Sequence, residues 1–93
     1  MASQKIKVVN SQGFHMRPAT IFVNTMAKYK SDVTLKVNGM DVNGKSLMNL
    51  IAACIKFGTE IEVVCHGDDE QEALMEAIGL IQSGLGVDYC LWV

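Results

Sequence analysis

Apolar and polar residues alternate along three stretches of the chain, which is the pattern of a β-strand with one buried face. The stretches are residues 5–9, 33–37 and 60–66. Asn-Gly at positions 38–39 is typical of a two-residue hairpin turn, because both residue types tolerate positive φ. A short strand over residues 40–42 is therefore expected to pair back on the second stretch. The residues predicted to face the core are Ile6, Val8, Val33, Leu35, Val37, Ile61, Val63 and Cys65.

Two further stretches carry apolar residues at helical spacing. The first helix has Pro18 in its first turn, where the fixed φ and missing amide hydrogen of proline are tolerated. The second runs from residue 47 to about residue 56, with Ser46 as N-cap, Asn49 at the third helical position and Gly58 as the C-terminal cap. The predicted apolar stripe of the first helix consists of Ala19, Phe22, Val23, Met26 and Tyr29.

A third helix follows the last predicted strand, with Asp68 or Asp69 as N-cap and Gly84 or Gly86 at its end. The element order is β-α-β-β-α-β-α. Since a tight turn joins the second and third strands, we expect an α+β fold with a four-stranded antiparallel sheet and helices on one face. With 93 residues the chain forms one domain, residues 1–93. The third helix is predicted to bury Leu74, Ala77, Ile78 and Ile81.

Composition and charge exclude several classes of partner. The formal net charge is −2 and no basic stripe is present, so nucleic-acid binding is not expected. No apolar run has the length of a membrane span, and the N-terminus lacks the hydrophobic region of a signal peptide. Cys54, Cys65 and Cys90 are odd in number and lack zinc-site spacing, which favours a reducing cytoplasm and no metal. Cys54 and Cys65 are interpreted as small core residues.

His15 is the first candidate for chemistry. It comes at or beside the N-cap of the first helix, where free backbone amides and the positive end of the helix dipole meet. Arg17 is two residues away, so a phosphate there would meet amide donors and a guanidinium together. A neutral imidazole nitrogen is nucleophilic at cytoplasmic pH. This arrangement indicates a histidine that carries phosphate, although a helix-start histidine is also common as a plain cap.

The second helix is apolar on more of its surface than one core-facing stripe requires. If Leu50, Ala53 and Cys54 face the core, the residues left outward are Leu47, Met48 and Ile51. They form either a docking surface for a partner protein or a face stacked on the first helix. A phosphate on Ser46, at the N-cap, would be electrostatically tolerated and would repel a partner that prefers an apolar surface.

The chain resembles the HPr family, the histidine-containing phosphocarriers of the bacterial sugar phosphotransferase system. Residues 13–19, Gly-Phe-His-Met-Arg-Pro-Ala, look like the active-site signature of that family, and residues 45–50 look like its regulatory serine segment. Residues 59–61 and 67–74 resemble the last strand and the entry to the last helix. The resemblance implies an open-faced β-sandwich of four antiparallel strands covered by three helices.

The resemblance also implies a reaction cycle. Enzyme I, phosphorylated by phosphoenolpyruvate, passes the phosphoryl group to Nδ1 of His15, and His15 passes it to the IIA domain of a sugar permease. Arg17 would neutralise the phosphate, with help from the backbone amides of Met16 and Arg17. The protein would act as a carrier and not as an enzyme by itself, and it would require neither a metal nor a bound cofactor.

By the same resemblance, Ser46 would be the target of an HPr kinase/phosphorylase, and the modified protein would act as a corepressor with a catabolite control protein. The partner-binding residues implied are Met16, Thr20, Leu47, Met48 and Ile51. A regulatory adaptor modified only at Ser46 is the main alternative, although such paralogues lack the active histidine. A further alternative is a carrier in the nitrogen-related branch of the system. A metal- or thiol-based role is a more distant one.

Three features depart from the family pattern. Met16 takes the place of a small residue, and Phe14 takes the place of a smaller aliphatic one. Residues 85–93 form a tail that is longer and more apolar than is usual in the family. The tail could pack back on the domain or mediate self-association.

Overall fold

In the part of the chain that the structure describes, four antiparallel strands form one sheet, and three helices are interspersed with them in the order β-α-β-β-α-β-α. The computed structural model describes residues 1–8, 16–56 and 58–83. Its elements are β1 (Ala2–Lys7), α1 (Met16–Met26), β2 (Asp32–Val37), β3 (Met40–Asn43), α2 (Leu47–Ala52), β4 (Glu60–His66) and α3 (Glu70–Gln82). The strand order is β1-β4-β2-β3. The element order and the α+β architecture predicted from the sequence are confirmed.

The two central strands bury every second residue, as the alternation predicts. All three inward residues of β2 and all three of β4 are at most 2% exposed. The turn between β2 and β3 has positive φ at both central residues, 51° at Asn38 and 81° at Gly39. This is the geometry that joins two antiparallel strands without splaying them. The buried residues of these strands are Val33, Leu35, Val37, Ile61, Val63 and Cys65.

The first strand differs from its prediction. β1 begins at Ala2 and ends at Lys7, so it starts three residues before the predicted stretch. The polar residues Ser3 to Lys5 are strand because they pair with β4, for example Ser3 with Val64. Val8 follows the strand, is fully buried and donates its amide hydrogen to the Thr59 carbonyl at 2.9 Å. Pairing with β4 therefore decides the bounds of β1, and Ile6 is only partly buried.

The second helix is shorter than predicted. α2 ends at Ala52, and the C-cap is Ala53, whose amide donates to the Asn49 carbonyl. Cys54 then takes a left-handed conformation with φ of 54° and is exposed, so its prediction as a core residue is wrong. Gly58 does not cap α2, because its amide donates to the Val8 carbonyl at 2.8 Å. The predicted continuation of the helix to about residue 56 is replaced by this loop.

The first and third helices pack as predicted, with small differences at their ends. Val23 and Tyr29 are only partly buried, while the other three residues of the predicted α1 stripe are fully buried. α3 ends at Gln82 with Ser83 as its C-cap, and Gly84 and Gly86 lie outside the described residues. The fully or largely buried residues of the two helices are Ala19, Phe22, Met26, Ala73, Leu74, Ala77, Ile78 and Ile81.

Asp69 is the N-cap residue of α3 by position, but its side chain makes no cap hydrogen bond. Instead it accepts from the backbone of the segment that links α1 to β2. The amides of Lys30 and Ser31 each donate to it at 2.9 Å. Gly67 allows this close approach, because a Cβ there would lie 2.7 Å from the Ser31 Cα. The turn before α3 is thus held against the end of α1.

Candidate functional site

The N-terminus of α1 is the first predicted phosphate position. α1 begins at Met16, so the chain enters the helix directly after position 15. His15 and Phe14 lie outside the described residues, and the predicted roles of His15 and of the Met16 side chain stay predictions. Arg17 is exposed and Pro18 is fully buried. The first turn therefore has one residue anchored in the core beside a guanidinium in solvent.

Buried side chains along its length hold α1 in place. Ala19, Phe22 and Met26 are each 0% exposed. Burial of a large apolar side chain stabilises a fold by roughly 1.5–3 kcal/mol. Because the first amides of a helix have no intrahelical acceptor, this anchored end can present hydrogen-bond donors to a ligand. Such an end can hold an anion, with Arg17 able to add charge-assisted hydrogen bonds.

The N-terminus of α2 is the second predicted phosphate position. Ser46 is its N-cap in extended conformation, with φ −113° and ψ 113°. The Ser46 Oγ accepts a hydrogen bond from the Asn49 amide at 3.3 Å, and the Ser46 carbonyl accepts from the Leu50 amide at 3.1 Å. The predicted cap is confirmed. Such a cap contributes about 1 kcal/mol to stability.

The side chains of α2 lie partly in the core and partly at the surface. Leu50 is fully buried, whereas Met48 is 77% exposed. Leu47 and Ile51 are partly buried and pack against the core. α1 and α2 also contact each other, and Thr20 on α1 is partly buried. The packing of α2 is therefore shared between the core and the surface, with Met48 its most exposed apolar side chain, and its role as a docking surface stays a prediction.

Hydrogen bonds that the sequence did not predict join the segment after α1 to the segment before α2 and to α3. The Lys45 Nζ donates to the Tyr29 carbonyl at 2.6 Å. The Tyr29 hydroxyl donates to Glu76 on α3, which raises the pKa of Tyr29 to about 12 and lowers that of Glu76. No local pattern reveals these pairs, because their partners are 16 and 47 residues apart.

Three hydrogen-bond donors surround the carboxylate of Asp69. The Ser31 hydroxyl donates to its carboxylate, and the Lys30 and Ser31 amides add two more hydrogen bonds. These donors stabilise the charged form and lower the pKa of Asp69 to about 2. In the core, burial raises the pKa of the Cys65 thiol, which favours the neutral thiol in the packing role predicted for it.

Two classes of site find no support in the described part of the chain. No group of three His, Cys, Asp or Glu side chains within residues 1–8, 16–56 and 58–83 is arranged to hold a metal ion. None of the helices in those same ranges has the length and apolar character of a transmembrane span. Cys90 and residues 85–93 lie outside these ranges, so the predictions for the tail stay predictions.

Comparison of the chain with known proteins finds one family that matches almost all of the described residues. Residues 2–83 match the family described as the phosphotransferase system HPr component phosphorylation site. The chain is 39% identical to the HPr-like protein Crh of Bacillus subtilis over 88% of its length and 96% of that protein. It is 37% identical to the phosphocarrier protein HPr of Neisseria meningitidis over 92% of its length and 97% of that protein.

A solved structure gives the same result. The fold matches the crystal structure of HPr from Thermoanaerobacter tengcongensis with a TM-score of 0.89 and 34% identity. The match covers 92% of this chain and 97% of that one. The sheet order and the helix positions are therefore those of a known phosphocarrier fold.

Proposed function

The chain belongs to the HPr family of phosphocarriers of the phosphotransferase system, and from this premise we propose that His15 is its phosphoryl acceptor. His15 would take the phosphoryl group from phosphorylated enzyme I and pass it to IIA domains of sugar permeases, in the cytoplasm. The observation that carries this proposal is the start of α1 at Met16, with Pro18 buried and Arg17 exposed in its first turn. Members of the family are carriers and not enzymes.

The chemistry needs little from the protein beyond position and charge. The neutral Nδ1 of His15 would attack phosphorus as the bond between phosphorus and the enzyme I histidine breaks. In the second transfer a histidine of the IIA domain would attack phosphorus as the bond to Nδ1 of His15 breaks. The transition state spreads negative charge over the phosphoryl oxygens. Arg17 would neutralise that charge, and the free amides of Met16 and Arg17 would donate to it. In-line approach of a partner histidine requires an open, shallow site.

The partner surface would lie beside this helix start. We propose that Met16 and Thr20 of α1 act with Leu47, Met48 and Ile51 of α2 as the docking patch for enzyme I and IIA domains. The exposure of Met48 and the contact between α1 and α2 support this assignment. Methionine is adaptable enough to fit several partners.

Ser46 would regulate that patch. A phosphate there adds about −1.5 to −2 charge units next to Met48, which penalises docking of an apolar partner surface. An HPr kinase/phosphorylase would be the modifying enzyme, and a catabolite control protein would bind the modified form. The cap geometry of Ser46 supports the site, because a helix N-terminus accepts negative charge.

A regulatory adaptor is the second candidate. Its support is the 39% identity to a protein named HPr-like protein Crh. In this case Ser46 would be the sole modified residue, and the chain would act by binding a transcription factor. The presence of a histidine at position 15 favours the carrier.

The deciding experiment is intact-mass analysis after incubation with phosphoenolpyruvate and purified enzyme I. We expect one added phosphate that brief acid treatment removes, in the wild type and in Ser46→Ala. The same addition should be absent from His15→Ala. If enzyme I labels a known carrier but leaves this protein unlabelled, the carrier proposal fails and the adaptor is supported. A label that survives in His15→Ala would show that another residue is the acceptor.

A further inference from the structure

Lys45 connects the segment before α2 to the end of α1. Its Nζ lies 2.6 Å from the Tyr29 carbonyl oxygen, in a partly buried contact. Ion pairs in the described ranges of the chain are those of Met1 with Glu70 and of Lys28 with Glu76, so Lys45 has no carboxylate partner there. A hydrogen bond from an ammonium to a carbonyl is stronger than one between neutral groups.

The peptide group that accepts from Lys45 also donates on its other side. The Tyr29 carbonyl and the Lys30 amide belong to the same peptide unit, and the Lys30 amide donates to the Asp69 Oδ2 at 2.9 Å. A cation therefore lies on the oxygen of this peptide and a carboxylate on its N–H. Each bond polarises the peptide in the sense that strengthens the other.

This chain of bonds reaches α3. Asp69 is the N-cap residue of α3, and it also accepts from the Ser31 amide at 2.9 Å. Tyr29 and Glu76 provide a second contact between the same two regions. Two hydrogen bonds and one peptide unit thus link Lys45 to Asp69 at the start of α3.

We propose that Lys45 is a coupling residue: a phosphate on Ser46 draws the Lys45 ammonium away from the Tyr29 carbonyl and so loosens the Lys30–Asp69 hydrogen bond at the start of α3. The proposal rests on the modification of Ser46 proposed above. Lys45 is adjacent to Ser46 in sequence and has a flexible four-carbon stem. Its Nζ can therefore bind either the Tyr29 carbonyl or a phosphate on Ser46. A phosphate oxygen is the stronger acceptor for an ammonium, because it is ionised.

The test is NMR of the Lys30 amide in protein that carries phosphoserine at position 46 by chemical ligation. This measurement requires no kinase, no enzyme I and no phosphoryl transfer. Its result is therefore independent of whether the protein is a carrier. We expect the Lys30 amide proton to move to lower frequency and to exchange faster with solvent when Ser46 is phosphorylated. Lys45→Met should produce the same change without phosphate, and phosphoserine should then add little.

Lys56→Met is the matched control, because Lys56 is an exposed lysine just beyond α2, and the donor to the Tyr29 carbonyl is Lys45. It should leave the response of Lys30 intact. Unchanged β2 amides report that each variant is folded, and Lys45→Gln replaces Lys45→Met if that variant fails this check. The proposal is overturned if phosphoserine leaves the Lys30 amide unmoved in wild type. It is overturned as well if phosphorylation shifts the Lys30 amide of Lys45→Met as far as it shifts that of the wild type.

Discussion

α1 and α2 are the two helices proposed to meet phosphate, and they are anchored very differently. α1 has 11 residues, and its buried side chains include Pro18, Ala19, Phe22 and Met26. α2 has six residues and one buried residue, Leu50. The cap hydrogen bond from the Asn49 amide to Ser46 is therefore a larger share of what holds α2.

The difference matches what each helix is proposed to do. A histidine that accepts and gives phosphate repeatedly needs a helix start at a constant position, since small displacements of reacting groups slow a transfer strongly. A regulatory site needs the opposite, an exposed cap beside side chains that a partner can reach. The short α2 provides this, because Met48, Asn49 and Ala52 are exposed beside the cap.

The largest effect we expect comes from truncation of a buried side chain of α1. Phe22→Ala should lower the free energy of unfolding by about 3–5 kcal/mol, because it leaves a cavity under a fully buried ring. Met48→Ala, on the outward face of α2, should change it by less than about 0.5 kcal/mol. Urea unfolding followed by circular dichroism measures both. Similar losses in the two variants would show that α2 is anchored as firmly as α1.

Removal of the Arg17 guanidinium tests the charge at the α1 start. Arg17→Ala should slow phosphoryl acceptance by about 10- to 100-fold, since a hydrogen bond to a charged group contributes about 1.5–3 kcal/mol. Arg17→Lys should recover part of the rate, because it keeps the charge without the fork geometry. Rapid-quench labelling by enzyme I gives the rates, and the melting temperature should stay constant because Arg17 is exposed. An unchanged rate in Arg17→Ala would remove this residue from the site.

Charge at the α2 cap should have a smaller effect. Ser46→Asp should slow transfer from enzyme I by up to about fivefold, because interactions of an exposed charge are worth about 0.2–1 kcal/mol. Ser46→Asn is the matched control, since asparagine also caps helices but carries no charge. Equal rates for wild type and both variants would contradict regulation through charge at this position. Equal slowing in Ser46→Asn would point to the lost hydroxyl instead.

The smallest effect concerns the segment after α1, where Asp69 at the start of α3 accepts hydrogen bonds from Lys30 and Ser31. Since the pKa of Asp69 is lowered to about 2, its hydrogen bonds stabilise the fold above pH 4, and this contribution is lost as pH falls from about 4 to 2. The free energy of unfolding of Asp69→Asn should lie below that of wild type at pH 6, and the two should converge near pH 2. Asp68→Asn, a change at an exposed neighbour, is the control. A difference that stays constant across this range would show that ionisation of Asp69 is not its source.

Local sequence patterns predicted the elements whose conformation follows from the spacing of their own apolar and turn residues. β2, β4 and the Asn38-Gly39 turn follow from alternation and from residues that tolerate positive φ. The same holds for the Ser46 cap. The family resemblance was likewise carried by short motifs, and the match over residues 2–83 confirms it.

The errors fall where a neighbour in space decides the conformation. β1 extends over polar residues because β4 supplies its hydrogen-bond partners. α2 ends early, at Ala52, and Gly58 in the loop that follows pairs with Val8 and not with the helix. The sequence near β1 and α2 signals neither difference. At α2, apolar spacing alone would continue the helix.

The sequence by itself determined the order of the elements, the cap of α2 and the candidate roles of His15, Arg17 and Ser46. Only the tertiary structure decided that Lys45, the Tyr29–Lys30 peptide and Asp69 form one chain of hydrogen bonds. Its two contacts join residues 16 and 39 positions apart. Side chains at such separations meet only after sheet and helices have packed, so their pairing depends on the whole fold and on no single motif.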